Sequence, residues 1–361
     1  MRTFEIGSIP VGPDHPPVFF AEIGSFFNGD VELAKRMLRA VLDARLKVPE
    51  QPMVLKSEIL DDAEICLPGD LQETYAAKDG RIRRESYRAL IERKVVPLER
   101  YGELFAICRE AGVPFVISVY DFKAADYAAQ KGASGLKIAS ANVVHVPLIR
   151  HAARLGLPLV IDTGRTSIAD VHRAVETARS AGCFDIVIQH SPDGHPALPE
   201  AHNLRILQTL AQAFGVPTGL SDHYVGVEML YVATALGASV LEKGVSFDPD
   251  ELDQDISHTM SIDALPAVLQ RTHDCWMALG SPERDPRYRV KGVIGSSQRQ
   301  GLVAKRALCA GDRIDLANVR FAFPCLGIPV ELWDLVEGWT LAEAVPADQP
   351  IAWKHVKPDG A

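Results

Sequence analysis

The sequence contains no uninterrupted apolar run near the ~20 residues needed to cross a bilayer, so no membrane partner is expected. It has no CxxC pair. Its six cysteines (Cys66, Cys108, Cys183, Cys275, Cys309 and Cys325) are scattered. Scattered thiols argue against a zinc knuckle or a disulfide frame and for a reduced, cytoplasmic setting. Residues Met1 to Gly12 lack a basic segment followed by an apolar core, so no secretory signal is expected. No GxGxxG follows a first strand, no repeat recurs at a solenoid period, and no tract is of low complexity. Positive charge is also short: the net charge of −9 argues against a dedicated nucleic-acid binder. One basic stretch, Lys78 to Lys94, runs against that sign and reads most simply as a solvated insertion.

What is present is a long alternation. The chain has 361 residues and is 47% hydrophobic, enough for a large core. Short β-like runs at Val18–Ile23, Met53–Lys56, Pro114–Ser118, Gly135–Ala139, Pro158–Asp162, Asp185–His190, Pro217–Ser221 and Ser239–Lys243 alternate with amphipathic helical stretches. Asp30–Ala44 is one, with Ala34, Met37, Leu38 and Val41 on one face. Eight strand–helix units, each strand too apolar for solvent, predict a parallel (β/α)8 TIM barrel within residues 1–282. A doubly wound open sheet is the competing architecture. The turn-rich, charged stretch after Leu279 predicts a linker over 283–299, and 300–361 reads as a small β-rich second domain. Its β-like pieces are Leu302–Lys305, Val319–Phe323 and Ile351–Val356.

In a barrel, chemistry collects where strands end. Those ends supply Glu22, Lys56, Ser118, Lys137 with Ser140 and Asn142, Asp162 with Thr163, and His190 with Asp193. The most polar end is Gly219-Leu220-Ser221-Asp222-His223, followed about twenty residues on by Leu241-Glu242-Lys243. Leu136 and Ile138 share one face of their strand, which turns Lys137 to the other, inside the rim. A lysine there needs an anion, and the hydroxyls of Ser118, Ser140, Thr163 and Ser221 could complete a phosphate or carboxylate cradle. The plainer reading pairs these lysines with Glu22, Glu58 or Glu242. On the cradle reading, Lys137→Met should abolish anion binding with little loss of fold.

Together, Phe20-Ala21-Glu22-Ile23-Gly24 with Asn28-Gly29-Asp30, Leu136-Lys137-Ile138-Ala139-Ser140, Thr163-Gly164, the Ser221-Asp222-His223 end and Glu242-Lys243 resemble the N-acetylneuraminate (sialic acid) synthase family. That family includes spore-coat polysaccharide, legionaminate and pseudaminate synthases. From Gly301 the chain resembles the SAF (antifreeze-like, β-clip) domain that such synthases carry. The resemblance implies condensation of phosphoenolpyruvate with an acylamino sugar aldehyde to a nonulosonic acid, helped by a divalent metal, manganese or magnesium. It implies phosphoenolpyruvate contacts at Lys56, Ser118, Lys137, Ser140 and Ser221. Glu22 and Asp255 would lie near the sugar, and His223 would be a metal ligand. It also implies a homodimer in which the SAF domain of one subunit reaches its partner's barrel.

The sequence departs from the family pattern at several points. Gly244 stands where a second metal histidine follows Glu-Lys, and Phe26 and Phe27 replace a polar pair. Asp162 stands where a phosphate-facing serine is usual, and Phe323 where an arginine reaches the partner's sugar. His258, His190 or Asp248 could replace the missing ligand. Without one, metal binding should be weak until substrate completes the site. The alternative reading is a divergent member that binds an anionic metabolite or partner without turnover.

Overall fold

The computed structural model describes residues 2–247, 253–282 and 299–358. The chain divides into two compact units, Met1–Ser281 and Pro282–Ala361. Apart from Arg299, the linker expected at 283–299 lies outside the described residues, as does Asp248.

In the first unit eight strands run parallel: β1 (Val18–Glu22), β2 (Met53–Glu58), β3 (Phe115–Ser118), β4 (Gly135–Ile138), β5 (Leu159–Asp162), β6 (Ile186–His190), β7 (Thr218–Asp222) and β8 (Val240–Ser246). Each pairs with its neighbours, and β8 pairs with both β7 and β1, which closes the barrel. The expected (β/α)8 barrel is therefore the fold, and the open sheet is set aside. Helices follow where the apolar periodicity placed them. α1 (Val31–Arg45) is typical: the Asp30 carboxylate accepts from the Leu33 N–H at its N-cap, and Ala34, Met37, Leu38 and Val41 are buried.

Strand alternation sorts the core into two layers. Phe19, Ala21, Met53, Leu55 and Ile117 face the helices, while Val18, Phe20, Val54, Val116, Val160, Val187 and Val240 pack together inside the barrel. A short antiparallel hairpin, Phe4–Ile6 with Ile9–Val11, adds Phe4, Ile6 and Val11 to this inner cluster. Among the described residues no helix is long and apolar enough to cross a membrane.

The basic stretch is folded rather than merely solvated. Gln72–Ala76 and Ile82–Ser86 form a hairpin that leads into a helix, Tyr87–Lys94. Arg93 pairs with Glu85, and Lys94, almost wholly buried, pairs with Asp253 at 2.7 Å. The second unit has its own core, including Leu302, Ala304, Ile314, Val319, Ile328 and Leu341. Gly301–Ala304 pairs antiparallel with Val319–Ala322, and Thr340–Leu341 with Val356–Lys357. The piece read as a strand over Ile351–Val356 is instead mostly a helical turn, Trp353–His355, with pairing only at its end.

Candidate active site

The inner face of each strand changes character along its length. Two residues beyond the valine layer, the same side of the strand carries the site: Phe20 leads to Glu22, Val54 to Lys56 and Glu58, Val116 to Ser118, Val160 to Asp162, and Val240 to Glu242. Lys137 and Ser221 follow Gly135 and Gly219 in the same way. The period of two thus carries an apolar floor up into a charged mouth at the C-terminal ends of the strands. All these polar groups line one cavity of about 210 Å³, together with Phe26, Tyr120, Ser140, His195, His223, Gln254, Asp255 and His258.

The lysines are fully engaged. Lys56 pairs with Glu22 and lies 3.4 Å from Glu242. The Lys137 ammonium sits 2.5 Å from Glu242 and 3.0 Å from Asp162, and donates to the Ser221 hydroxyl at 3.3 Å. Ser221 in turn donates to Glu242 at 3.1 Å. Burial alone would raise Glu242, but Lys137 and Lys56 outweigh it and hold this carboxyl down to about 2. Glu22 goes the other way. Burial, with Glu242 and Glu58 nearby, pushes it up to about 8 against the pull of Lys56. Burial also raises Glu58 and Asp162. The cavity holds carboxylates in excess and still leaves polar atoms without partners: Ser118 Oγ, Asp162 Oδ1 and Glu242 Oε2.

Beside these groups lie three imidazoles. His195 and His223 have ring centroids 4.4 Å apart, His223 and His258 4.6 Å, and His195 and His258 5.4 Å. One nitrogen from each falls within 4.8 Å of the others. Nδ1 of His223 and of His258 is buried without a hydrogen-bond partner, while His195 Nδ1 donates to Asp255 at 2.8 Å. Burial, reinforced by His195, drives His223 down to about 3, and burial with His223 lowers His258. Two neutral rings with orphaned nitrogens and a third oriented by a carboxylate fit a divalent ion. The turn bearing His258 is anchored from the basic stretch, because Lys94 grips Asp253 and Asp253 accepts from the Asp255 N–H at 2.8 Å.

Of the residues expected from sequence, Glu22, Lys56, Ser118, Lys137, Ser140, Ser221, His223 and Asp255 meet in this cavity. Others do not. Thr163 is buried and accepts from the Ser191 N–H, so its hydroxyl braces a loop. Asp193 is exposed, pairs with Arg165 at 2.6 Å and lines a neighbouring pocket. Asn142 lines a larger, adjoining cavity. His190, offered as a replacement ligand, is not among the groups lining this cavity and lies outside the histidine cluster; its Nε2 is bonded to the His202 carbonyl. His258 is beside His223, as the alternative allowed. Within the polar strand end, only Ser221 and His223 reach the cavity; Asp222 points away and holds Lys243 at 2.8 Å and His202 at 3.2 Å. Sequence reasoning missed His195, Tyr120 and Gln254 as lining groups, and weighed Glu58 only as a lysine partner. Extending the alternation of β2 by two residues would have found Glu58. His195 sits in a loop with no period to read.

Gly244 continues the inner row of β8 beyond Glu242. A Cβ there would meet the Phe26 ring at 3.2 Å and Thr259 Cγ2 at 3.0 Å. The aromatic ring occupies the space that a side chain at 244 would need, so the departures at Phe26 and Gly244 are one packing solution.

A model of the NeuB family matches residues 56–284, more than half of the chain, and a model of the SAF domain matches residues 299–357. The spore coat polysaccharide biosynthesis protein SpsE of Bacillus subtilis is 32% identical over 99% of this chain and 98% of its own. The N,N'-diacetyllegionaminic acid synthase of Legionella pneumophila is 25% identical over 97% of this chain and 98% of its own. Among solved structures, the putative spore coat polysaccharide biosynthesis protein E of Chromobacterium violaceum superposes with a TM-score of 0.72 at 23% identity, covering 95% of this chain and all of that one.

Proposed function

This chain belongs to the NeuB family, and we propose that it is a synthase joining phosphoenolpyruvate to an acylamino sugar aldehyde to make a nonulosonic, sialic-acid-like acid for surface polysaccharide. The observation that carries the reading is a barrel mouth in which Lys56, Lys137, Ser118, Ser140 and Ser221 share one cavity with three imidazoles. Phosphoenolpyruvate is small, carries two anionic groups, and suits two lysines ringed by hydroxyls. Its phosphate and carboxylate take over the lysines from Glu22, Glu242 and Asp162, and the unpartnered Ser118 hydroxyl donates to it.

Held so, its methylene carbon attacks the aldehyde carbon and forms the new C–C bond. The carbonyl electron pair moves to the aldehyde oxygen, which takes a proton from Glu22, a carboxyl still protonated at neutral pH. Water adds to the cationic C2 and gives one proton to a cavity carboxylate; the C2–O bond to phosphate then breaks as the new C2 hydroxyl forms the ketone and passes its proton to the departing phosphate. A divalent ion, for which His195, His223 and His258 offer nitrogens, would supply Lewis-acid polarisation of the aldehyde. The acceptor's acyl group extends into the adjoining cavity of about 430 Å³, whose wall includes Leu60, Ile65, Tyr87 and Ile91 and which shares Glu58, Tyr120 and Asp255 with the first. The reading includes a cytoplasmic enzyme and a homodimer with exchanged SAF domains.

One observation favours a second reading, an anion-binding protein without turnover: Gly244 offers no side chain where a second metal histidine follows Glu-Lys in the family pattern. Purified protein given phosphoenolpyruvate, manganese or zinc, and a panel of acylamino hexoses separates the two. Acceptor-dependent phosphate release is expected. Binding of phosphoenolpyruvate with no release for any acceptor selects the second reading, and absence of binding removes both.

A further inference from the structure

The three histidines come from three separate segments: His195 from the loop after β6, His223 at the end of β7, and His258 from the helical turn Ile256–His258. Nothing local requires them to converge, yet one nitrogen from each lies within 4.8 Å of the other two. His258 is 3% exposed, and its Nδ1, like that of His223, has no partner. A buried polar atom left unpaired costs about 1–3 kcal/mol, so two on neighbouring rings call for a ligand that satisfies both. His195 has been prepared for the same task. Its Nδ1–H is committed to Asp255 at 2.8 Å, which fixes the tautomer and leaves Nε2 with a free lone pair.

We propose that His195, His223 and His258 form a three-nitrogen metal centre that selects zinc or cobalt(II) over magnesium, with Asp255 as the positioning residue for His195. The selectivity follows from the donors. Imidazole suits borderline ions, whereas magnesium demands oxygen ligands in octahedral array and gives up water reluctantly. Three nitrogens with open remaining positions is the donor count of catalytic zinc sites. Nitrogens about 2.1 Å from an ion require the rings to draw in by roughly 1 Å each from their present spacing. β8 contributes nothing, because Gly244 has no side chain and Phe26 covers it. The centre therefore forms before substrate arrives, in contrast to the weak, substrate-completed site expected when His223 was the sole ligand in view. Its use in catalysis rests on the synthase reading; its existence does not.

The test uses the full chain stripped by chelator, titrated with cobalt(II) while visible absorption is recorded, and with zinc and magnesium by calorimetry. One cobalt or zinc ion per chain is expected, bound at least about 100-fold more tightly than magnesium. His195→Gln and His258→Gln should each weaken cobalt binding by about tenfold or more, and Asp255→Asn by about 10–100-fold with an altered cobalt spectrum that Asp255→Glu restores. Circular dichroism confirms that each variant is folded; if one glutamine variant unfolds, the other still decides. Equal affinity for magnesium, or unchanged cobalt binding in a folded variant, would overturn the centre. Tight one-to-one cobalt binding with no phosphate release from phosphoenolpyruvate would leave the centre standing and remove the synthase reading instead.

Discussion

Lys137 has anionic partners before any substrate arrives. Its ammonium lies between Glu242 and Asp162 and is almost wholly buried, so it balances charge inside the barrel as well as waiting for a ligand. The expectation that Lys137→Met would spare the fold is therefore corrected. Methionine fills the volume but leaves two buried carboxylates short of a cation, a loss of about 3–5 kcal/mol when one partner of a buried pair is removed. The pH dependence fixes the mechanism. In the parent, Glu242 is held down to about 2, so its stabilisation is present above the ordinary carboxylate range and is lost only as pH falls toward 2. In the variant, burial without Lys137 raises both carboxyls. The folded state then retains protons that the unfolded chain releases, and stability falls as pH rises through and above the ordinary range. Urea unfolding should show a large deficit at pH 8 that shrinks near pH 5, with phosphoenolpyruvate binding lost at both. A deficit independent of pH would mean that packing, not charge, is what Lys137 contributes.

At the scale of elements, the eight strands were legible because a doubly covered parallel strand must be apolar on both faces, and such runs stand out between amphipathic helices. The lysines, serines and Glu22 were legible for the same reason: each breaks an apolar run at its end. His195 and Gln254 lie on irregular segments whose side-chain directions no period dictates, so their convergence on the cavity could be seen only in three dimensions. The short strands of the second unit were partly misread because they are paired by residues distant in sequence rather than by their own pattern. Gly244 belongs between these cases. Its absence of a side chain was noticed, but its reason is the ring of Phe26, two hundred residues away in the chain. Gly244→Ala should cost about 1–3 kcal/mol through overpacking. Phe26→Ala in the same chain should recover much of that loss, since it removes the ring the new methyl meets. The double-mutant cycle in urea carries the argument: strictly additive losses would show that Thr259 or the backbone of β8, not Phe26, closes this space.

The whole molecule has two unequal cores. The barrel core draws on every strand and most helices, whereas the second unit is built on a small cluster that includes Leu302, Ile314, Val319 and Ile328. A unit of this size holds only about 3–5 kcal/mol from its own core. Leu302 is fully buried there, and its backbone bonds to both Ile328 and Ile351, so it ties three segments together. Leu302→Ala should cost about 2–5 kcal/mol, enough to unfold the second unit by itself. Calorimetry should then show the barrel transition unmoved while the second unit loses its own, and limited proteolysis should trim the chain back toward Ser281. The consequence divides the chemistry. Every group of the candidate site is in Met1–Ser281, so cobalt and phosphoenolpyruvate binding should survive in this variant. If the exchanged SAF domain of the proposed homodimer is needed at the acceptor end of the barrel, acceptor-dependent phosphate release should not. A single transition that shifts as one would mean that the two units unfold together, and that the second draws its stability from more than its own core.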